Sequence, residues 1–230
     1  MKMKMIDDEF GFEESIKSGV VDRIFCRYDG NCRIYYNDKS YKQLKIMCSF
    51  YNSQYGIPIS KDGTTLFVGS WENGLTAYDV ISGGVLWKYK PGRVRNILVF
   101  SDFLIISRAN TAVEKIDVKT GELLASIRSG TLERVFDLGF PFIFADTISG
   151  KHCIIDILQM EIIKKYSSKT VNPNRCLSII ITDVVLKNNS ITISGTEQYP
   201  NKHFDAKVLD GTEAFSRVID NSFDTLMDKK

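Results

Sequence analysis

A short motif recurs along this chain at a nearly constant spacing. In its clearest copy, residues 74–89, Asp79 is followed by Ser82 and Gly83, and a second copy surrounds Asp117, 38 positions further on. Each copy consists of two alternating apolar runs around a polar turn, which is the pattern of two strands. Strand-only repeats of about 40 residues are typical of propeller blades. The repeat therefore predicts an all-β protein.

The spacing of the motif assigns four successive corners to the chain, at Asp38, Asp79, Asp117 and Asp156. An aspartate at the end of a strand can accept hydrogen bonds from turn amides, and a following glycine can adopt positive φ. We therefore interpret the turn residues of the two clearest copies as structural: Asp79, Ser82, Gly83, Asp117, Thr120 and Gly121. About four strand-like segments fall between successive corners, which is the content of one propeller blade.

The whole chain accommodates about five four-stranded blades of a β-propeller. We predict a single domain over residues 1–230, with a flexible acidic arm at 1–11 and a short tail at 223–230. Near the C-terminus, Asp210-Gly211 is predicted to form a turn. Helices should be scarce, because no apolar stripe of helical period persists along the sequence.

The motif resembles the repeats of quinoprotein-like β-propellers, a superfamily with PQQ-type and WD40-like repeats, most clearly over residues 55–145. The residues that fit the family pattern are Ala77, Asp79, Ser82, Gly83 and Trp87. The resemblance implies a propeller fold. Enzymes of this family are much longer chains that carry a cofactor site and adjacent cysteines, and adjacent cysteines do not occur here. The resemblance therefore implies a non-enzymatic member without a cofactor.

The net charge and the cysteine content indicate which class of partner and which cellular compartment to expect. Thirty basic and 28 acidic residues leave a formal charge of +2, too small for a protein that mainly binds a phosphate backbone. The N-terminal residues turn acidic before the apolar core of a signal peptide can form, and we expect no membrane segment. The five cysteines show no Cys-x-x-Cys spacing, which favours reduced thiols in a cytoplasmic protein. The alternative is a Cys26–Cys32 pair across a hairpin.

Residues with catalytic or metal-binding potential are few. The two histidines are His152 and His203. His152 precedes Cys153, but adjacent strand residues point to opposite faces, so a packed imidazole is favoured over a zinc ligand. The sequence has no nucleophile elbow and no glycine loop of the phosphate-binding type. We expect no catalytic residues, no metal and no cofactor, and a small propeller enzyme of unknown chemistry remains an alternative.

The loops at one end of the predicted blades combine aromatic and arginine side chains, which are enriched at protein interfaces. The residues predicted to bind a partner are Tyr28, Tyr51, Tyr55, Trp71, Arg93, Arg95, Arg108 and Arg134. Packing of the tyrosines between blades, with scattered arginine pairs, is the alternative interpretation. The basic stretch 88–95, with Tyr89 as a stacking ring, suggests a nucleic-acid platform instead, which the small net charge disfavours.

These features predict a non-catalytic module that captures one partner protein at one end of the propeller. A small binder without catalytic equipment would suit a bacterial immunity protein. Such a protein would neutralise a toxin domain by covering its active site in a 1:1 complex.

Overall fold

The computed structural model describes most of the chain as short antiparallel strands. The described residues are 2–6, 9–15, 20–27, 31–45, 58–70, 74–108, 112–129, 132–147, 152–173, 178–200 and 209–220. The chain divides into two compact units, Met1–Arg128 and Ser129–Lys230, and each unit is described by itself. The prediction of a single domain stays a prediction.

Unit 1 contains three antiparallel sheets in its described residues, and strands adjacent in a sheet are also consecutive in the chain. The first sheet consists of β1 (Lys2–Ile6), β2 (Glu9–Ser15), β3 (Val21–Arg27), β4 (Asn31–Tyr36) and β5 (Tyr41–Lys45). The second sheet consists of β6 (Thr65–Gly69), β7 (Leu75–Asp79) and β8 (Val85–Tyr89). The third sheet consists of β9 (Val94–Val99), β10 (Phe103–Arg108), β11 (Ala112–Asp117) and β12 (Leu123–Arg128).

Unit 2 continues the same up-and-down pairing. One sheet consists of β13 (Leu132–Asp137), β14 (Phe142–Thr147), β15 (His152–Asp156) and β16 (Glu161–Tyr166). The other consists of β17 (Ser178–Lys187), β18 (Ser190–Pro200) and β19 (Leu209–Asp220). Between them lies the single described helix, α1 (Ser168–Val171), which Ser167 caps by accepting a hydrogen bond from the Thr170 amide. The predicted scarcity of helix is thus confirmed for the described residues.

Burial within a sheet follows the position of the strand. All residues of β10 except its last are buried, and the six residues of β14 are all buried. The outer strand β12, by contrast, alternates between exposed and half-buried positions along most of its length. A core in unit 1 joins the second and third sheets through residues such as Phe67, Leu75, Leu104 and Ile106. Strands covered on both faces explain the continuous apolar runs that interrupt the alternation in the sequence.

The aspartate corners are confirmed in three sheets. Asp79, Asp117 and Asp156 each end a strand. The residue after each aspartate donates its backbone N–H to a carbonyl in the turn that precedes the neighbouring strand of the same sheet. These bonds are Val80 N to Thr64 O, Val118 N to Asp102 O and Ile157 N to Pro141 O, at 2.9, 3.2 and 2.9 Å. The repeat read from the sequence is therefore a repeat of backbone geometry.

The predicted equivalence is wrong for Asp38. In the first sheet the corresponding backbone bond is made by Asn37, whose N–H donates to the Val20 carbonyl. The strand end equivalent to Asp79 is therefore Tyr36, whose N–H bonds to the Ser40 carbonyl across a tighter turn. Asp38 lies inside this turn, where its carboxylate accepts a hydrogen bond of 2.8 Å from the Ser40 amide.

Three further expectations are corrected. The predicted flexible arm at 1–11 contains β1 and the first three residues of β2; β1 pairs with β2, and β2 pairs with β3. Asp210-Gly211 lies inside β19 instead of forming a turn. Cys32 is disulfide-bonded, contrary to the expectation of reduced thiols, and Cys26 is its partner in the β3–β4 register. The predicted tail at 223–230 lies outside the described residues.

The search for membrane spans was limited to the described residues. Among these, no helix has the length and apolar character needed to cross a bilayer.

Candidate functional site

The third sheet has two ends that differ in how their polar groups are used. The first, which we call the turn end, carries the β9–β10 and β11–β12 turns. There Asp117 Oδ1 accepts hydrogen bonds from the amides of Lys119 and Thr120, both 2.8 Å long, and from the Thr120 hydroxyl at 3.1 Å. These hydrogen bonds, with the Thr120 amide first, hold the pKa of Asp117 below its usual range.

The second sheet has the same chemistry at its own aspartate turn. Asp79 Oδ1 accepts a hydrogen bond of 2.5 Å from the Ser82 amide. Hydrogen bonding from Ser82, first through its hydroxyl and then through its amide, lowers the pKa of Asp79. These turns therefore satisfy their own carboxylates, as expected for structural residues.

Glycine at these turns is required for packing as well as for conformation. Gly121 has φ +73°, and a Cβ at this position would lie 2.5 Å from the indole ring of Trp87. Trp87 also donates its Nε1–H to the Val118 carbonyl at 3.1 Å. The second sheet thus packs directly against the turn of the third. Gly83, at φ +70°, is packed in the same way against Leu44 of the first sheet.

The opposite end of the third sheet carries a concentration of charge, which we call the arginine end: Lys90, Arg93, Arg95, Arg108 and Glu114. Arg93 immediately precedes β9, Arg95 is the second residue of β9, and Arg108 ends β10 opposite Val94. The structure therefore brings together Arg93, Arg95 and Arg108, as the sequence predicted from the loop assignment.

A β-bulge interrupts the pairing of β9 with β10 at Arg95. Asn96 pairs with Ser107 and Val94 pairs with Arg108, so Arg95 has no partner in register. Val94 and Ile97, on either side of the bulge, both lie close to Gly69 of the second sheet and pack in the core between the second and third sheets, so simple alternation does not continue through Arg95. Bulges of this kind turn a side chain away from the regular pleat and are frequent beside binding sites.

Glu114 and Arg108 lie on the core-facing side of the third sheet. Glu114 is opposite Ile106, a member of the same core, and Arg108 follows Ile106 by two positions. Arg108 Nη1 is 3.8 Å from Glu114 Oε2, and the two side chains are only 14% and 9% exposed. Arg108 Nη2 also donates to the Pro91 carbonyl at 2.6 Å. This bond needs glycine at position 92, because a Cβ there would lie 2.5 Å from Arg108 Nη2.

Several buried polar atoms at the arginine end lack a hydrogen-bond partner in the described part of the chain. They are Arg95 Nε, Arg108 Nη1 and Glu114 Oε2. Burial lowers the pKa of the Arg93 guanidinium, and the positive charge of Arg95 lowers it further. Burial raises the pKa of the Tyr89 hydroxyl, and the negative charge of Glu114 contributes to the rise. Buried polar groups of folded proteins usually find partners, so this cluster departs from the rule.

The other predicted binding residues are not part of the described arginine end. Tyr28, Tyr51, Tyr55 and Trp71 lie outside the described residues. Arg134 belongs to unit 2, where its guanidinium donates to the Ile181 carbonyl and links β13 to β17. Its role in partner binding stays a prediction.

Sequence reasoning overlooked Glu114 as a member of this cluster. Its signal was a carboxylate at an inward position of the β11 pattern, two residues before the buried Ile116.

The histidine and cysteine of unit 2 occupy packed positions. His152 is 3% exposed, stacks on Phe144 with ring centroids 5.9 Å apart, and places Nδ1 3.0 Å from Asp146 Oδ1. Cys153 is a free, buried cysteine, and burial raises the pKa of its thiol to about 11. No group of three or more potential metal ligands occurs among the residues that the structure describes. His203 lies outside them.

Comparisons with known proteins support the fold. No known family and no curated protein matches this sequence. BamB from Moraxella catarrhalis superposes with a TM-score of 0.60 at 12% identity, over 92% of this chain and 63% of that one. The computationally designed protein Ika8 superposes with a TM-score of 0.52 at 16% identity, over 78% of this chain and 53% of that one. This chain therefore spans less than two thirds of the length of either structure.

At these identities the likeness concerns the fold alone. Together with the all-β topology it shows a β-propeller-like fold. The number of blades and the closure of the ring stay predictions.

Proposed function

We propose that this chain is a non-catalytic module that captures one partner protein through the arginine end. The observation that carries the proposal is the juxtaposition of Arg93 and Arg95 at one end of β9, where Arg95 Nε is buried and has no hydrogen bond to any residue that the structure describes. A buried donor of this kind gains a hydrogen bond when a partner supplies an acceptor. Arginine is also among the residues most enriched at interface hot spots.

Rigidity of the surrounding sheet supports a binding role. Arg95 is a strand residue and Arg108 ends a strand, and Arg108 is fixed further by the Pro91 carbonyl. Side chains that are already ordered lose little conformational entropy when a partner binds. A propeller-like scaffold can therefore present this end without rearrangement.

A finer hypothesis is that the partner is a bacterial toxin domain and that this chain is its immunity protein, acting by 1:1 occlusion. The support is indirect: a binding surface without an assigned catalytic group. Co-expression tests it. The captured partner alone should arrest bacterial growth, and this chain should restore growth; a captured partner that is harmless would contradict the toxin hypothesis.

The nucleic-acid alternative is weakened by the position of Tyr89. This ring, which the basic stretch offered for base stacking, is only 7% exposed. Stacking on a base requires an accessible ring face. Binding to nucleic acid would also show a steep dependence on salt concentration, which separates the two functions experimentally.

The main test is affinity capture followed by measurement of the complex mass. The wild-type chain should recover one dominant protein at about 1:1, and Arg93→Glu with Arg95→Glu should reduce the affinity at least about 30-fold, as expected for a hot spot. The matched control is Lys61→Glu with Lys119→Glu, the same charge change on exposed turn residues of the second and third sheets. Equal loss in both variants, or capture that survives the arginine change, would overturn the proposal.

A further inference from the structure

A surface groove of about 580 Å³ lies in unit 1 where the repeated corner is interrupted. It is lined by Val20, by the β4–β5 turn and by Ile81 in the turn after β7. In the β4–β5 turn, Tyr36 stands at the strand end that carries aspartate in the second and third sheets. All lining residues belong to the described part of the chain. Departures from local consistency are expected where a protein functions.

The groove gathers exposed apolar side chains. Val20, Tyr41 and Ile81 all line it, and Tyr41 and Ile81 are 62% and 56% exposed. Single apolar side chains on a surface are ordinary, whereas several around one groove mark a binding site. The volume also falls in the range of small-molecule sites, roughly 300–1,000 Å³.

Polar side chains that line the groove make hydrogen bonds within the protein. The Tyr36 hydroxyl donates to the Val80 carbonyl at 2.8 Å, and Lys42 Nζ donates to the Ile81 carbonyl at 3.2 Å. Asp38 Oδ1 accepts hydrogen bonds from the Ser40 amide at 2.8 Å and from the Ser40 hydroxyl at 2.5 Å. What the groove chiefly offers a ligand is therefore its apolar surface.

The same hydrogen bonds hold the walls of the groove in place. The bonds from Tyr36 and Lys42 join the first sheet to the turn after β7, and the Asn37 amide donates to the Val20 carbonyl at 3.0 Å. Gly83 packs against the first sheet, because a Cβ there would lie 2.6 Å from Leu44 Cδ2. A groove formed in this way before the ligand arrives is typical of small-molecule sites.

We infer that this groove binds a small neutral molecule with an aromatic or branched aliphatic body. Such a ligand covers the apolar side chains of Val20, Tyr41 and Ile81 and needs no charged group of the protein. A charged ligand gains less, because Asp38 and Lys42 already have hydrogen-bond partners and a charge buried without a partner is unfavourable. The site lies outside the arginine end and adds a second binding activity to the proposed function.

The test uses the full chain and three probes that share one ring system: indole, which is neutral, indole-3-acetate, an anion, and tryptamine, a cation. Titrations are followed by NMR of the isoleucine and valine methyl groups. We expect indole to shift the Ile81 and Val20 signals in a saturable way, and neither charged probe to bind more tightly. Tighter binding of either charged probe, or shifts spread over methyl groups outside the groove, would overturn the inference.

A charge placed in the groove should abolish the site. Ile81→Asp should weaken indole binding at least tenfold, because the new carboxylate lies against an apolar ligand. Val85→Asp is the matched control, since Val85 is a similarly exposed β-branched residue of the second sheet outside the groove, and it should bind indole within twofold of wild type. Equal losses in the two variants, with a native circular dichroism spectrum, would show that the groove is not the site.

The neutrality of the ligand is tested by Asp38→Asn. This change removes the charge of a carboxylate that is bonded to its own turn, so indole binding should stay within twofold of wild type. A larger loss in a natively folded variant would mean that the ligand uses the carboxylate, contrary to the inference.

An apolar side chain of a partner protein is the alternative occupant. Addition of the partner recovered by affinity capture separates the two, because indole should remain bound in the complex. Displacement of indole would assign the groove to a protein interface, and the inference would be wrong. The proposed function concerns the third sheet and is tested with other variants, so either proposal can fail while the other stands.

Discussion

The turn end and the arginine end of the third sheet are built from the same strands, yet they use polar side chains in opposite ways. At the turn end, Asp117 accepts three hydrogen bonds from its own turn, and Gly121 packs against Trp87. At the arginine end, Arg95 and Glu114 each bury a polar atom that has no hydrogen bond to the described residues. Within the described part of the chain, one end satisfies its polar groups through its own turn and the other does not.

The difference separates residues that hold the fold from residues available for binding. Turn carboxylates that accept hydrogen bonds from their own turn recur from sheet to sheet, because each sheet needs the same turn. A repeated motif therefore indicates a structural role. The arginine end does not repeat: Arg95 is the unpaired residue of a bulge, and Glu114, beside Arg108, is a charged residue at a core-facing position. Departures from local consistency are expected where a protein functions.

The largest effect on stability is expected at the packed glycine of the turn end. Gly121→Val should lower the free energy of unfolding by about 3 kcal/mol, since it places a branched side chain at positive φ and against the Trp87 ring. Gly84→Ala is the control in the neighbouring turn, because only the Ser82 hydroxyl lies near its added Cβ, at 3.2 Å. Denaturant unfolding measures both variants. Equal losses would show that the inter-sheet contact is unimportant.

Removing a turn carboxylate should have a smaller effect. Asp117→Ala deletes the acceptor for the amides of Lys119 and Thr120 and should cost about 1 kcal/mol, since these exposed donors can bond to water instead. Capture of the partner protein should remain within twofold of wild type. A Thr120→Val variant, which removes only the hydroxyl donor, should lose less stability than Asp117→Ala, and the reverse order would contradict this account of the turn.

The repeat predicted the corners well because their chemistry is local. Asp79 and Asp117 bond to residues within three positions along the chain, so the pattern contains the whole interaction. The assignment of Asp38 was wrong because the turn in the first sheet is tighter than the turns at Asp79 and Asp117. Asp38 also accepts a hydrogen bond from a nearby turn amide, so the spacing of the aspartates alone does not reveal the shorter turn. The Asp210-Gly211 pair failed as a turn signal because it lies within the long pairing of β18 and β19.

The candidate site was predictable only in part. The sequence predicted that Arg93, Arg95 and Arg108 lie at one end, because this prediction requires only the order of the strands. The bulge at Arg95 depends on how β9 pairs with β10, and the approach of Glu114 to Arg108 depends on side-chain packing between strands. Neither interaction is recorded in local sequence periodicity.

The pH dependence of stability should arise from the turn carboxylates. The pKa values of Asp79 and Asp117 are lowered from 3.8 in the folded chain by turn hydrogen bonds. Their contribution is therefore fully present above the unfolded pKa and is lost as the pH falls through the lowered folded pKa. Wild type should be more stable than Asp79→Asn with Asp117→Asn at neutral pH, and the difference should shrink below about pH 4.

Thermal unfolding scans across this range measure the effect. Asp62 also has a lowered pKa, through the hydroxyl of Ser60 and the amide of Thr64, and is unchanged in both proteins, so it cancels in the comparison. A difference that stays constant from neutral to acid pH would mean that the two carboxylates do not titrate with a lowered pKa in the folded state.

The smallest effect on stability is expected at the arginine end, and there it should be separated from binding. Arg95→Met keeps an unbranched side chain and removes Nε, which is buried and has no hydrogen bond within the described part of the chain. Replacement of an unsatisfied polar group by an apolar one is close to neutral, so the free energy of unfolding should change by less than about 1 kcal/mol in either direction. Capture of the partner should nevertheless be lost. A destabilisation as large as that of Gly121→Val would instead mean that Arg95 supports the fold, and the contrast between the two ends would no longer distinguish structure from function.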